Sequence, residues 1–243
     1  WRKMKGVILA GGTGSRLHPL TVAVNKHLLP IGDKPMVLRC LEKMTDAGIK
    51  DVCIVTNPEY VSDFSALLGS GKNHDCDITY KVQDEPGGVA QALGVAEKFV
   101  GDENCCVILG DNMFQDSITQ HVKQFEKSNL DCHLFFKHVP DGHRYGVGTF
   151  EDDKLVNLVE KPKGVTKAYA AIGLYLYSPK VFSHIREVKP SYRGELEITS
   201  VNSIMLDTGK LSYSFLDNWW TDAGTMETYL LANRLVNNEQ YSN

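Results

Sequence analysis

The chain has 243 residues, 42% of them hydrophobic and 23% charged, ordinary for a folded protein of one large α/β domain or two small ones. Its 26 Lys plus Arg against 30 Asp plus Glu leave a net charge of −4, which argues against a general nucleic-acid binder, since that would want a basic excess. No apolar run approaches the ~20 residues of a membrane span, nothing reads as a signal peptide, and the six cysteines form no CxxC pair, so a cytoplasmic protein with reduced, structural thiols is expected.

Trp1-Arg2-Lys3, ahead of Met4, reads as a leader or remnant outside the fold. A first strand is expected over Lys5–Ala10, followed at once by the run Gly11-Gly12-Thr13-Gly14-Ser15-Arg16. Across Pro35–Ala47, the apolar Val37, Cys40, Leu41 and Met44 fall at helical spacing, and Gly48 is placed to stop that helix. A strand over Asp51–Thr56, a helix over Glu59–Leu68, a strand over Ile78–Val82, a helix over Val89–Val100 and a strand over Cys105–Leu109 continue the alternation. Such alternation predicts βαβ units and a mostly parallel sheet, and the unbroken apolar run Cys106–Leu109 suits a sheet covered on both faces. After about residue 130 the rhythm changes. Strands over Asp131–Val139, Leu155–Val159, Ala171–Tyr177 and Leu211–Leu216 are separated by polar loops such as Pro140–Tyr145 and Lys161–Lys167. Helices are expected near 180–187, 195–208 and 226–236. Without repeats, low-complexity tracts or a flexible linker, a single domain over 4–240 is expected.

The glycine-rich run after the first strand is the strongest single signal. Three glycines in four positions let the backbone approach a phosphate and aim successive N–H groups at it, and Arg16 can add a bidentate contact. The plainer reading is a tight turn between strand and helix. A dinucleotide fingerprint fails because Leu17 stands where the third glycine belongs after Gly12 and Gly14. A Walker loop ending at Gly71-Lys72 fails because Ala66 replaces its first glycine and Asn73 its hydroxyl residue.

Nine segments in order carry a resemblance over nearly the whole chain. They are Gly11–Leu17, Lys26–Pro30, Gln83–Ala92, Gly110–Asn112, Tyr145–Val147 with Glu160–Pro162, Gly173–Tyr175, Arg193–Thr199 and Trp220–Thr225. The pattern resembles the sugar-nucleotidyltransferases, and among them the short-form glucose-1-phosphate thymidylyltransferases. The resemblance implies an α/β fold with a Rossmann-like, mixed and mostly parallel sheet flanked by helices, of the nucleotide-diphospho-sugar transferase type. It implies a nucleotide-binding half over about 4–130 and a sugar-phosphate-binding half over about 131–240. The implied substrates are a nucleoside triphosphate and a sugar 1-phosphate, with Mg²⁺ as cofactor, dTDP-glucose and pyrophosphate as products, and a homo-oligomer (dimer or tetramer) as the assembly. A uridylyltransferase and a non-catalytic sugar-nucleotide-binding regulator are the alternatives.

For that reaction the nucleophile is a phosphate oxygen already anionic at neutral pH, so the site must supply positioning and charge neutralisation rather than a base. By resemblance, Leu9, Gly11, Gly12, Thr13, Gly14, Ser15, Arg16, Lys26, Gln83, Pro86, Gly88 and Asp111 hold the nucleotide. Asn112, Tyr145, Gly146, Glu160, Lys161, Ile172, Gly173 and Arg193 hold the sugar phosphate. Arg16, Lys26, Lys161, Arg193 and Asp111 are the catalytic set, and Asp111 with Asp222 shares the metal. Asp111 follows an apolar strand at the carboxyl end, where α/β sheets place their sites, although a turn residue or helix N-cap would read the same way. The Gln83 amide offers a donor and an acceptor to a pyrimidine edge. Glu195 and Glu197 read as helix-starting acids that orient Arg193. His18 and His27 read as neutral structural or surface groups. Ser200 and Gly32 depart from the family pattern, and the end of the chain soon after the 226–236 helix puts a regulatory nucleotide site in doubt.

Overall fold

The computed structural model describes residues 3–241, so Trp1 and Arg2 of the expected leader lie outside the described residues. In chain order the first elements are β1 (Met4–Leu9), β2 (Pro30–Ile31), β3 (Lys34–Pro35), α1 (Met36–Asp46), β4 (Asp51–Thr56), α2 (Val61–Leu68) and β5 (Asp77–Val82). Next come α3 (Val89–Val95), α4 (Glu97–Val100), β6 (Asn104–Leu109), β7 (Asn112–Phe114), α5 (Thr119–Lys127), β8 (Cys132–Val139) and β9 (Gly146–Glu151). The chain continues through β10 (Lys154–Glu160), β11 (Ala168–Tyr177), α6 (Val181–Glu187), α7 (Ile198–Asp207), β12 (Leu211–Phe215), β13 (Trp220–Asp222) and α8 (Met226–Tyr241).

One nine-stranded sheet runs in the order β10-β9-β11-β6-β1-β4-β5, with β8 paired to β11 and β12 paired to β8. It is parallel from β5 to β6 and turns antiparallel where β11 joins β6. Alternate residues of each central strand face opposite sides. Met4 and Ile8 of β1, Val52 and Ile54 of β4, and Cys106 and Ile108 of β6 enter one core with α1 and α5. Val7, Leu9, Cys53, Val55, Cys105 and Val107 enter the other with α3, α6 and α7. The strands therefore have no polar face, as expected for a sheet covered on both sides. In α1, Val37, Cys40, Leu41 and Met44 are all buried, each stabilising by roughly 1.5–3 kcal/mol, and Gly48 ends the turn at φ +85° with space around it. All six cysteines are buried and unbridged. Among the described residues no helix is long and apolar enough to cross a membrane.

Three expectations change in detail. The 89–100 helix breaks at Ala96, whose N–H reaches back to Leu93 O in a tighter turn. α5 gives little sequence signal because only Val122 and Phe125 are buried on it. β9 is masked by Gly146 and Gly148, yet Gly148 is there to admit a ring: a Cβ would lie 2.7 Å from Phe136 Cε1.

Candidate active site

The site lies at the carboxyl ends of β1, β4 and β6. Leaving β1, the loop places Gly12 at φ +100° and Gly14 at φ +63°, conformations that side chains resist. Asn57, just past β4, accepts from Gly12 N–H at 3.2 Å, and Thr21 Oγ1 donates to Gly14 O at 2.7 Å. A short 3₁₀ turn over Ser15–Leu17 then buries Leu17 and anchors Arg16. A second one over Lys26–Leu28 is capped by Asn25, whose Oδ1 accepts from His27 N–H at 2.9 Å. His27 is buried beneath it, and burial, reinforced by the Lys26 charge, holds its imidazole at about 3 and therefore neutral.

Asp111 leaves β6, and Asn112 opens β7, which pairs antiparallel with β13 so that Asp222 lies opposite Asn112. This small ribbon joins acids more than a hundred residues apart. A Cβ on Gly224 would lie 3.1 Å from Asp222 Oδ2, 3.3 Å from Arg16 Nη2 and 3.6 Å from Asp111 Oδ2, so all three groups converge on one spot. Lys26 Nζ donates to Asp111 Oδ2 at 2.5 Å. Burial alone would push the Asp111 carboxyl up, but the Lys26 ammonium and the Asn112 amide outweigh it and hold the group well below the usual carboxylate range. Asp222 accepts from Arg144 Nη2 at 2.9 Å and from Tyr145 OH at 3.0 Å, yet burial and the neighbouring Asp111 charge still push its carboxyl up. Such a rise marks negative charge that the protein leaves undercompensated. Two converging carboxylates fit a divalent cation that takes its other ligands from water and phosphate oxygens. Among the described residues no cluster of three or more His, Cys, Asp or Glu could hold a metal alone.

Two clefts meet at Asp111. One, about 240 Å³, is lined by Leu9, Gly11, Gly12, Lys26, Gln83, Pro86, Gly88 and Asp111, with His27, Val89, Ala92, Leu109 and Glu195 completing it. The other, about 250 Å³, carries Arg16, Arg144, Tyr145, Gly146, Glu160, Lys161, Gly173, Asn112 and Asp222. The register of β9 against β10 sets Gly146 opposite Glu160, and Lys161 follows at φ +44° with its N–H on Tyr145 O at 2.9 Å. Thr199 Oγ1 donates to Glu160 Oε2 at 2.5 Å, which orients that carboxylate.

Not every expected residue reaches the clefts. Thr13, Gly14 and Ser15 shape the loop but line neither cleft, and Arg16 lies on the second, not the first. Ile172 is fully buried in the core and lines neither cleft. Arg193 lines neither cleft, because Glu195 at 2.9 Å and Glu197 at 3.4 Å hold its guanidinium, the orienting contact expected of those acids. Asn112 is absorbed in scaffolding: its Oδ1 accepts from Gly173 N and Trp220 Nε1, both at 2.8 Å, and its Nδ2 donates to Asp111 at 3.0 Å. Sequence reasoning missed Asn57 and Arg144. The strand-end rule that found Asp111 would have found Asn57, while Arg144 sits in a polar loop with no pattern to mark it.

The chain resembles known proteins over nearly its whole length. The family described as nucleotidyl transferase matches residues 5–239. A glucose-1-phosphate thymidylyltransferase of Neisseria meningitidis is 41% identical over 229 residues, covering 93% of this chain and 80% of that protein. A crystal structure from Bacillus anthracis, described as a glucose-1-phosphate thymidylyltransferase in complex with a sucrose, superposes with a TM-score of 0.91 at 47% identity, covering 96% of this chain and 94% of the other. A UDP-glucose pyrophosphorylase complexed with UDP-glucose gives a TM-score of 0.85 at 25% identity, covering 98% and 100%. The chain belongs to the nucleotidyl transferase family and is a nucleotidyltransferase.

Proposed function

We propose that the enzyme transfers a thymidylyl group from dTTP to α-D-glucose 1-phosphate, giving dTDP-glucose and pyrophosphate, with Mg²⁺ as cofactor. The observation that carries this reading is the meeting of two clefts at Asp111, with Arg16, Lys26 and Lys161 on their walls in a chain of net charge −4. The first cleft takes the nucleotide, its base toward Gln83 and Gly88 and its phosphates toward Gly11, Gly12 and Lys26. The second takes the sugar phosphate, with Glu160 and the backbone at Gly146 and Gly173 toward the hydroxyls, and Lys161 toward the phosphate. Residues 4–130 supply the first apart from Glu195, and 131–240 supply most of the second, to which Arg16, Val89, Leu109, Asp111 and Asn112 also contribute.

The attacking oxygen is ionised at neutral pH, so the protein's task is to hold two polyanions in line and offset their repulsion. Lys26 and Arg16 reach the junction from the glycine loop side, and Lys161 from the sugar side. Asp111 and Asp222 would hold Mg²⁺, which would supply charge neutralisation at the phosphates. Lys26, whose ammonium contacts Asp111, would then be available to the phosphates. Arg193, held by Glu195 and Glu197, acts from the edge of the sugar-phosphate side. The higher identity to thymidylyltransferases than to the UDP-glucose enzyme favours dTTP over UTP. The buried, unbridged thiols fit a reducing compartment, and we place the enzyme in the cytoplasm.

The test is pyrophosphate release with a panel of triphosphates and sugar 1-phosphates. We expect the highest kcat/KM with dTTP and glucose 1-phosphate. No turnover with any pair in the presence of Mg²⁺ sinks the enzymatic reading, and faster turnover with UTP sinks the thymidylyl assignment alone.

A further inference from the structure

Gln91, in the first turn of α3, does nothing in the scheme above, yet it is tied to the residue assigned to the base. Its Oε1 accepts two N–H groups, from Gln83 Nε2 at 2.7 Å and from Gly87 N at 2.9 Å. The second contact decides the first. A backbone N–H only donates, so Gln91 must present its oxygen, not its nitrogen, at this point. Gln83 must then answer with its NH₂, because a flipped amide would set two carbonyl oxygens face to face. The Gln83 nitrogen is drawn the same way by Gly88 O at 3.4 Å. Its own Oε1 is left against Gly11, where a Cβ would lie 2.9 Å away, and both residues line the nucleotide cleft. Gly87 leaves the room this needs: a Cβ there would lie 2.3 Å from Gln91 Cδ.

We propose that Gln91 is a positioning residue for base selection, locking the Gln83 amide so that the cleft offers the base an acceptor. A pyrimidine with a ring N–H at that edge, thymine or uracil, satisfies it. Cytosine, whose ring nitrogen is itself an acceptor there, does not. The proposal rests on the reading that Gln83 meets the base. In this arrangement Gln91 Oε1 and Gly88 O engage the Gln83 NH₂, and the acceptor is the part of the amide left for the base.

The experiment measures kcat/KM for dTTP and for CTP with glucose 1-phosphate. Gln91→Leu frees the Gln83 amide to turn either edge to the base. The dTTP-to-CTP ratio should fall about tenfold or more, through a higher KM for dTTP with kcat within about twofold, the scale of one polar contact. Gln91→Glu keeps an acceptor oxygen for both N–H groups and should keep the ratio. A wild-type ratio in Gln91→Leu, or equal loss in Gln91→Glu, overturns the proposal. Gln91→Met, of similar length and without an acceptor, is read in the same way if Gln91→Leu folds poorly. Gln83→Leu separates the two ideas. If it leaves the ratio unchanged, Gln83 does not read the base and the parent assignment fails. If it collapses the ratio while Gln91→Leu does not, the role of Gln91 alone is refuted.

Discussion

Replacing Gly88 by alanine probes the joint between the two clefts. Gly88 stands at φ +99° and ψ 173°, a region essentially reserved for glycine, and an L-residue there costs about 1–3 kcal/mol. The new methyl would also lie 2.6 Å from Leu196 O, 2.8 Å from Leu196 N and 3.0 Å from Glu195 Cβ. Two of these are backbone atoms, which cannot swing aside as a side-chain tip can. Relief requires the 195–196 segment to retreat, at the expense of Leu196 N–H to Gly87 O at 2.8 Å and Ala90 N–H to Leu196 O at 3.1 Å. Each is worth about 1 kcal/mol, so the whole change costs about 3–5 kcal/mol. For a chain of this size that lowers the melting temperature by roughly 10 °C. Because Glu195 lines both clefts, KM should rise for both substrates, and kcat/KM should fall about 100-fold, the usual penalty of an ångström of misplacement. Gly101→Ala is the control: φ is +61°, no atom lies within 4 Å of the added carbon, and only the backbone cost remains. Thermal melts and initial rates on both variants decide the matter. If Gly88→Ala is no less stable and no less active than Gly101→Ala, the clash reasoning is wrong.

Asp111→Asn should reduce pyrophosphate release by about 10²–10³-fold, with the circular dichroism spectrum close to wild type; near-normal rates would refute its metal role. Chelation by EDTA should abolish turnover without shifting the melting temperature, since no protein-only metal cluster exists among the described residues. His133 is half-buried, with Nδ1 2.7 Å from Ser212 Oγ and a buried Nε2 that has no hydrogen-bond partner among the described residues, and burial, aided by His121, lowers it from 6.5 to about 4. A folded pKa below the unfolded one means the unfolded chain takes the proton first. The stabilisation is complete above about pH 6.5 and is lost towards pH 4, by up to ~1.4 kcal/mol per pH unit. His133→Gln should shallow that slope in urea melts across this window, and an unchanged slope would show the imidazole to be accessible.

The sequence was most legible where a periodic pattern met a rule of topology. Apolar β1, β4 and β6 pointed to a two-faced core, and the strand-end rule put Asp111 in the site. The Lys26–Asp111 contact was out of reach, because it depends on β1 lying beside β6 with Leu9 opposite Leu109. Arg144 escaped notice because its partner Asp222 is brought in by β13, three residues long and too short to show alternation. Motif resemblance named Arg193, but it carries no information on which neighbours engage the guanidinium, and Glu195 and Glu197 do so. Gln91 was in plain view in a quoted motif. Its significance rests on the direction of a hydrogen bond, which only the coordinates of Gly87 reveal.

The participation of Glu195 and Asp222 has a consequence for how the enzyme comes into being on the ribosome. By the time Asp111 has been synthesised, every central parallel strand and the glycine loop exist, and the first cleft lacks only Glu195. The second carboxylate emerges about a hundred residues later, roughly 5–20 s at ordinary rates of elongation. On the proposed reading, the nascent chain has throughout that interval most of the cleft assigned to the triphosphate and only one of the two acids assigned to Mg²⁺. Turnover would then wait for β13, which carries Asp222.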